Sequence, residues 1–159
     1  MTSTLQKEPI FGTAAEIELA TFYAADLLLG IPIRKVEEIS RYCSVTPVPG
    51  APQSVCGVMS LRGEVVTVLD LRAVLGLGKT ECTRQTRNVI VQAGGERIGL
   101  LVDRVADVVH AVAADLLPPP ANMSSGDSTM FQAVYRLENE LLVLVDVAAV
   151  TAAAETTRD

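Results

Sequence analysis

The chain has no tryptophan, a single histidine, and aromatic residues at only 4% of its 159 positions. A core so poor in rings must be filled by Val, Leu, Ile and Ala, which favours many small strands over a pocket walled with aromatic faces. His110 stands alone, so no metal cluster built on several histidines and no Ser-His-Asp relay with competing histidines can form; it reads as a solvated or half-buried side chain. Cys43, Cys56 and Cys82 are odd in number and have no Cys-x-x-Cys spacing. They read as buried, inert thiols in a reducing cytoplasm, neither a zinc site nor a redox couple. Positive charge is short as well: 13 Lys and Arg face 19 Asp and Glu, a net charge of -6. Nucleic acid draws most of its affinity from cations on phosphates, so it would be repelled at long range. No uninterrupted apolar run approaches the ~20 residues of a membrane span, and Met1 to Gly12 lacks a basic, then apolar, export signal. These absences predict a cytoplasmic protein with no direct membrane insertion, no nucleic-acid partner, no cofactor and no metal.

What is present is repetition, which fixes architecture before any motif does. Glu64-Val65-Val66-Thr67-Val68-Leu69-Asp70-Leu71-Arg72-Ala73-Val74 returns 76 residues later as Glu140-Leu141-Leu142-Val143-Leu144-Val145-Asp146-Val147-Ala148-Ala149-Val150. Leu29-Gly30-Ile31-Pro32-Ile33-Arg34-Lys35-Val36-Glu37-Glu38-Ile39 returns 69 residues later as Ile98-Gly99-Leu100-Leu101-Val102-Asp103-Arg104-Val105-Ala106-Asp107-Val108. Two echoes in the same order imply two similar halves, the second carrying 7 extra residues. Halves of roughly 65 to 75 residues are marginal alone and should share a core.

The segments read as short strands with Gly, Asn or Pro at the corners. Ile17–Tyr23 and Leu27–Ile33 form a hairpin across Ala24-Ala25-Asp26. Arg34–Ile39 reads as a short helical turn burying Val36 and Ile39 while Lys35 and Glu38 stay wet. Val45–Pro52, with three prolines, is a turn or an extended edge. Val55–Leu61 and Glu64–Leu69 make a central hairpin in which Gly63 supplies the positive φ, with Val65–Leu69 covered on both faces. Lys79–Asn88 connects the halves. Val89–Ala93 and Arg97–Val102 pair across Gly94-Gly95. Asp103–Val108 repeats the short turn, Pro118–Pro120 repeats the Pro-rich edge, and Asn122–Thr129 is a small-residue loop. Phe131–Leu137 and Glu140–Val145 then pair around Glu138-Asn139, with Asn139 taking the positive φ. An Ala-rich helix from Asp146 to Ala154 closes the chain. The expectation is two small β-barrels packed on each other. Residues 1–14 would form a flexible tail and 15–154 a single domain, with a first half at about 15–78 and a second at about 88–150. Residues 155–159 would fray.

Two arrangements invite chemistry. Asp70 and Asp146, if they met, would form a general acid/base pair with split pKa values, the basis of a small hydrolase. Each also sits at a strand end and helix start, where an aspartate caps. Gly76-Leu77-Gly78-Lys79 lacks the hydroxyl and upstream glycine of a phosphate-binding loop and reads as a helix stop. Arg62, at a hairpin tip, reads either as a solvated side chain or as an exposed cation aimed at a partner or at Glu38. The repeat equivalents of Glu38 and Arg62 are Asp107 and Glu138, two acids, so an Arg62–Glu38 pair would have no counterpart in the second half. With no family invoked, these residues suit a protein that binds other proteins.

Gly57-Val58-Met59-Ser60-Leu61-Arg62-Gly63 followed by Val68-Leu69-Asp70-Leu71-Arg72 resembles the CheW-like coupling proteins of bacterial chemotaxis. Gly99–Val105 and Ile33–Ile39 support the match, which runs from about Glu16 to Val150. Ser60 stands where the family usually has Asn, and Thr67 where it usually has Pro. The resemblance implies a mainly β fold of two intertwined five-stranded SH3-like barrel halves with short helical turns and a C-terminal helix. It implies a non-catalytic adaptor linking the regulatory domain of a chemotaxis histidine kinase to the cytoplasmic tip of methyl-accepting chemoreceptors. The protein would be recruited to receptor arrays at the inner membrane. A variant of that reading is an adaptor of a surface-motility or regulatory pathway. The resemblance puts Val36, Glu38, Arg62 and Gly63 on the receptor side and leaves the kinase-binding face to strands of the second half.

Overall fold

The structure, a computed structural model, describes residues 16–41, 45–120 and 130–156. The tail expected over 1–14, Cys43 and the small-residue loop Asn122–Thr129 lie outside the described residues. The strands are β1 (Glu16–Ala24), β2 (Leu27–Pro32), β3 (Val36–Arg41), β4 (Val55–Leu61), β5 (Glu64–Asp70), β6 (Arg87–Ala93), β7 (Glu96–Val102), β8 (Arg104–Val105), β9 (Val109–Val112), β10 (Phe131–Arg136) and β11 (Leu141–Val145). Helix α1 (Leu71–Val74) follows β5, and α2 (Val147–Thr156) follows β11. Among the described residues no helix is long and apolar enough to cross a membrane.

The strands form two sheets, in the orders β10-β11-β2-β1-β8, with β9 also on β1, and β3-β6-β7-β5-β4. The fold is mainly β, as expected, and the two echoes in the sequence explain its layout. β1 and β2 of the first repeat correspond to β6 and β7 of the second, and β3, β4 and β5 correspond to β8 with β9, β10 and β11. Each sheet therefore takes its first two strand types from one repeat and the other three from the other repeat. One join in each sheet is a parallel ladder: Val68 lies opposite Gly99, and its repeat equivalent Leu144 lies opposite Gly30. The other is antiparallel, β3 on β6 and β8 and β9 on β1. The two glycines serve the same end, since a Cβ at Gly30 would sit 3.1 Å from Leu142 and one at Gly99 3.3 Å from Val68. Smaller features recur too. Thr46 exchanges two backbone hydrogen bonds with Val58 (2.8 and 2.9 Å), as Leu117 does with Val134, and the amides of Asp70 and Asp146 donate to Ser54 and Met130. Both Pro-rich segments thus cover an outer strand, β4 and β10, at one bridge each.

The sheets do not divide at the 79–88 connector; each draws strands from both repeats. The chain passes from β2 in one sheet to β3 in the other through the three-residue 3-10 turn Ile33–Lys35 alone, and from β7 to β8 through Asp103 alone. Each hairpin is thereby left in the sheet of the opposite repeat. Burial follows this exchange. Among the described residues, twenty buried apolar side chains, including Phe22, Ile31, Leu69, Leu100 and Val145, make one core drawn from both sheets. Only seven, centred on Leu19, Leu142 and Leu144, and four, centred on Met59 and Val68, line two satellite clusters. At about 1.5–3 kcal/mol for each fully buried large aliphatic side chain, most of the stabilisation lies where the sheets meet.

Local expectations fail at several places. Asp103–Val108 forms no helical turn but carries β8, and Cys82 is exposed rather than buried. Arg34–Ile39 is not a helical turn: the 3-10 turn stops at Lys35 and β3 follows, where β-branched Val36 and Ile39 suit a pleated strand. Ile39 is exposed and Glu38 half-buried, the reverse of the helical reading. Val65 is not covered on both faces but is 74% exposed, because it alternates with the buried Val66 and Val68. Asn139 does not take a positive φ; only Ala25 and Arg62 do so among the described non-glycine residues. The loop there is longer than a two-residue turn and is closed by Leu137 N–H donating to Glu140 (2.9 Å). Finally, α2 runs on to Thr156 rather than ending at Ala154.

Candidate functional site

The β4–β5 hairpin closes at the pair Leu61 and Glu64, leaving a two-residue turn of Arg62 and Gly63. Both have positive φ, 51° and 83°, the requirement of a type I′ turn, whose hand matches the twist of the flanking strands. Sequence reasoning assigned that conformation to Gly63 alone. An L residue with a Cβ pays about 1 kcal/mol in this region, and asparagine, aspartate or glycine is the usual choice. Arg62 is thus held in a costly conformation at the tip of a hairpin, where its side chain is 72% exposed.

Its guanidinium reaches back to β3. Arg62 Nη1 lies 2.6 Å from Glu38 Oε1, and the glutamate is 24% exposed. β3 and the β4–β5 hairpin tip belong to opposite edges of the five-stranded sheet, so this ion pair spans the two edges of the curled sheet. Glu38 shares the half-buried face of β3 with Val36 and Ser40, by the period of two of a strand. Val36 is half-buried and packs against the shared core. The structure therefore joins Glu38, Arg62 and Gly63 directly and sets Val36 two residues away on the same strand. Gly63 has no atom within 4 Å of where a Cβ would stand, so its role there is conformational.

Residues that sequence reasoning did not single out flank the pair. Ile39 (42% exposed) follows Glu38, and Val65 projects beyond the turn. On the same sheet Arg97 bridges Glu37 (Nε to Oε1, 2.9 Å) and Glu64 (Nη1 to Oε1, 3.0 Å), while Gln92 hydrogen-bonds to Glu37. An open cleft of about 490 Å³ lies alongside, bounded by Val65, Thr67, Gln92, Glu96 and Arg97. The alternation Glu64-Val65-Val66-Thr67-Val68 carries the signal for Val65, since a period of two puts it on the wet side with Thr67.

The aspartates act as caps. Asp70 is buried, and its two oxygens accept from Thr80 Oγ1 (2.7 Å), Thr80 N–H (3.0 Å) and Ala73 N–H (3.4 Å). Asp146 Oδ1 accepts from the N–H groups of Ala148 (3.0 Å) and Ala149 (3.3 Å). Each carboxylate is engaged in starting its own helix rather than paired with the other. Burial pushes the Cys56 thiol up to about 12, helped by the nearby charges of Asp70 and Cys82, so the sulfur stays protonated at neutral pH. His110 is exposed beside Glu18, with Nδ1 at 3.7 Å from a carboxylate oxygen. Among the described residues no group of three or more His, Cys, Asp or Glu is placed to hold a metal ion.

Arg72, from the second part of the motif, serves the fold. Its guanidinium grips Asp103 through Nε to Oδ2 (2.9 Å) and Nη2 to Oδ1 (3.0 Å), and Asp103 Oδ2 also accepts from Ala25 N–H (2.6 Å) at the β1–β2 turn. One carboxylate so ties α1 to the far hairpin and supports the positive φ of Ala25.

Comparison with known proteins agrees with this architecture. The crystal structure of the scaffolding protein TtCheW from Thermoanaerobacter tengcongensis superposes with a TM-score of 0.78 at 26% identity, covering 84% of this chain and 91% of that one. The chemotaxis protein CheW of Rhizobium meliloti is 32% identical over 133 residues, 84% of this chain and 86% of its own length. Protein FrzA of Myxococcus xanthus is 37% identical over 105 residues, 66% of each chain. Residues 18–155 match the model of the CheW-like domain, and with the two exchanged sheets in place the chain belongs to the CheW-like family.

Proposed function

We propose that the protein is a non-catalytic adaptor coupling chemoreceptors to a histidine autokinase in a bacterial chemosensory array. It binds the cytoplasmic receptor tip with the surface of Val36, Glu38, Arg62 and Gly63, and the kinase's regulatory domain with a separate surface. The observation that carries this reading is Arg62: a long cation kept in a left-handed turn conformation at a local cost, tethered to Glu38 and left mostly exposed. Such a tether fixes the direction of the guanidinium while its remaining N–H groups stay free for a partner. Ile39 and Val65 supply apolar contact at the margins. The aspartates cap the helices that follow them, and Asp70 also holds Thr80. The protein works in the cytoplasm and reaches the inner membrane through its partners. Co-sedimentation with receptor-containing membranes and the kinase tests the assignment. The adaptor should pellet with receptor alone and draw the kinase down with it, and failure to retain either partner overturns the reading.

In a second version the same surface serves a surface-motility or regulatory array; the likeness to protein FrzA, at 37% identity, stands beside that to proteins named for chemotaxis. Deleting the gene and scoring swimming against surface spreading separates the two.

A further inference from the structure

Neither repeat can complete a sheet from its own strands. The hairpin β1–β2 is finished by β8, β9, β10 and β11, and the hairpin β6–β7 by β3, β4 and β5. The joins are two equivalent parallel ladders, Thr67–Asp70 on Ile98–Leu101 and Leu142–Leu144 on Leu28–Gly30, together with the antiparallel ladders of β3 on β6 and of β8 and β9 on β1, and the core of twenty buried side chains lies between the sheets they complete. The repeats are linked covalently only through the segment between α1 and β6. Up to Thr80 that segment is held to its own repeat, by two hydrogen bonds from Thr80 to Asp70. Residues 81–85 are exposed throughout; hydrogen bonds there are local, Glu81 and Thr83 with Thr86, Gln85 with Thr83 and Arg84 with Arg87, and Cys82 lies near Cys56 of its own repeat.

We propose that a second copy of this chain can supply either repeat, giving a strand-exchanged dimer in which 81–85 is the hinge. Each unit of that dimer holds the first repeat of one copy and the second repeat of the other. Every ladder, both satellite clusters and the shared core are the same as in the closed monomer, so the two forms differ only in the hinge and in the entropy of bringing two chains together. Closed chains prevail in dilute solution, and the exchanged form gains as chain concentration rises during folding. Exchange from the folded state requires opening the shared core, so it accompanies refolding and not the mixing of native protein.

The Arg72–Asp103 bridge provides the test, because Arg72 belongs to the first repeat and Asp103 to the second. In R72D or in D103R alone, like charges face each other in every closed monomer and in every dimer of identical chains. In a dimer of one R72D chain with one D103R chain, one unit regains the native pair. The other unit sets the two substitutions against each other, again with opposite charges. Co-refolding the two variants from denaturant should give a species of twice the monomer mass holding both variants in equal amounts. Its yield should exceed that of either variant refolded alone by about tenfold, for a gain of roughly 0.7 kcal/mol at each of two pairs. Wild type should show a dimer fraction that rises with refolding concentration, and mixing the natively folded variants should give none. A co-refolded mixture that stays monomeric, or dimers that contain one variant only, overturns the proposal. The milder pair Arg72→Ala and Asp103→Ala, which leaves one unit native, serves if the charge reversals do not fold.

Discussion

Replacing Gly57 by alanine should be among the most damaging single-atom changes available in this chain, and its size can be worked from the structure. Gly57 has φ 148°, and a Cβ there would stand 2.1 Å from the carbonyl oxygen of Thr46, 2.6 Å from its carbonyl carbon and 2.9 Å from Pro47 Cα. All three are backbone atoms, so no rotamer change relieves the clash. Thr46 must move away, which breaks the two hydrogen bonds it exchanges with Val58 at 2.8 and 2.9 Å. Each is worth about 0.5–1.5 kcal/mol net, and the left-handed backbone adds about 1–2 kcal/mol for any side chain. The sum is about 2–5 kcal/mol, a substantial part of the 5–15 kcal/mol typical of a whole domain. Gly63→Ala is the control: its φ is also positive, but nothing lies within 4 Å of the new methyl, so only the backbone part, about 1 kcal/mol, should appear. Urea unfolding followed by circular dichroism measures both. If the two variants lose equal stability, or Gly57→Ala loses less than about 1 kcal/mol, the close approach of the Pro-rich segment does not cost what this reasoning assigns to it.

Asn88 is fully buried with its Oδ1 unpartnered, while Leu19 fills the equivalent place in the first repeat, so Asn88→Leu should raise stability by about 1 kcal/mol in the same urea assay. The two described thiols should differ in alkylation: Cys82, exposed, reacts with iodoacetamide first, and Cys56 stays unmodified near pH 8 in the folded protein, as read by peptide mass spectrometry. The same raised pKa sets a sign for stability. Between the unfolded thiol's value of about 8.5 and the folded value of about 12, the folded state holds the extra proton. Cys56 therefore favours folding below that window and loses its contribution as pH rises through it, and Cys56→Ala should flatten the alkaline limb of the stability profile.

Much of this was legible in the sequence because it rested on local signals. The four hairpins follow from apolar runs broken by Ala-Asp, Arg-Gly, Gly-Gly and Glu-Asn, and the caps at Asp70 and Asp146 from their place between strand and helix. The repeats were visible as well, since equivalent ladders demand equivalent residues, Gly30 with Gly99 and Val68 with Leu144. What sequence alone did not show is which repeat completes which sheet. A repeat pattern is the same whether strands pair within a half or between halves, and only the brevity of Ile33–Lys35 and of the Asp103 link forces the exchange. The positive φ of Arg62 was hidden for a related reason: the twist of the hairpin dictates it, and arginine itself disfavours it. The Arg62–Glu38 pair was within reach because both residues belong to one repeat, whereas the Glu37–Arg97–Glu64 bridge joins both repeats and gave no signal.

The most direct test of the adaptor reading is Arg62→Ala, measured for folding and for binding on the same preparation. An exposed ion pair contributes about 0–1 kcal/mol, and removing a left-handed arginine changes little else in the fold, so the urea midpoint should stay close to wild type. Retention on receptor-containing membranes should fall sharply while retention of the kinase's regulatory domain persists. Unfolding of the variant, or intact receptor binding with kinase binding lost, would contradict the assignment of this surface.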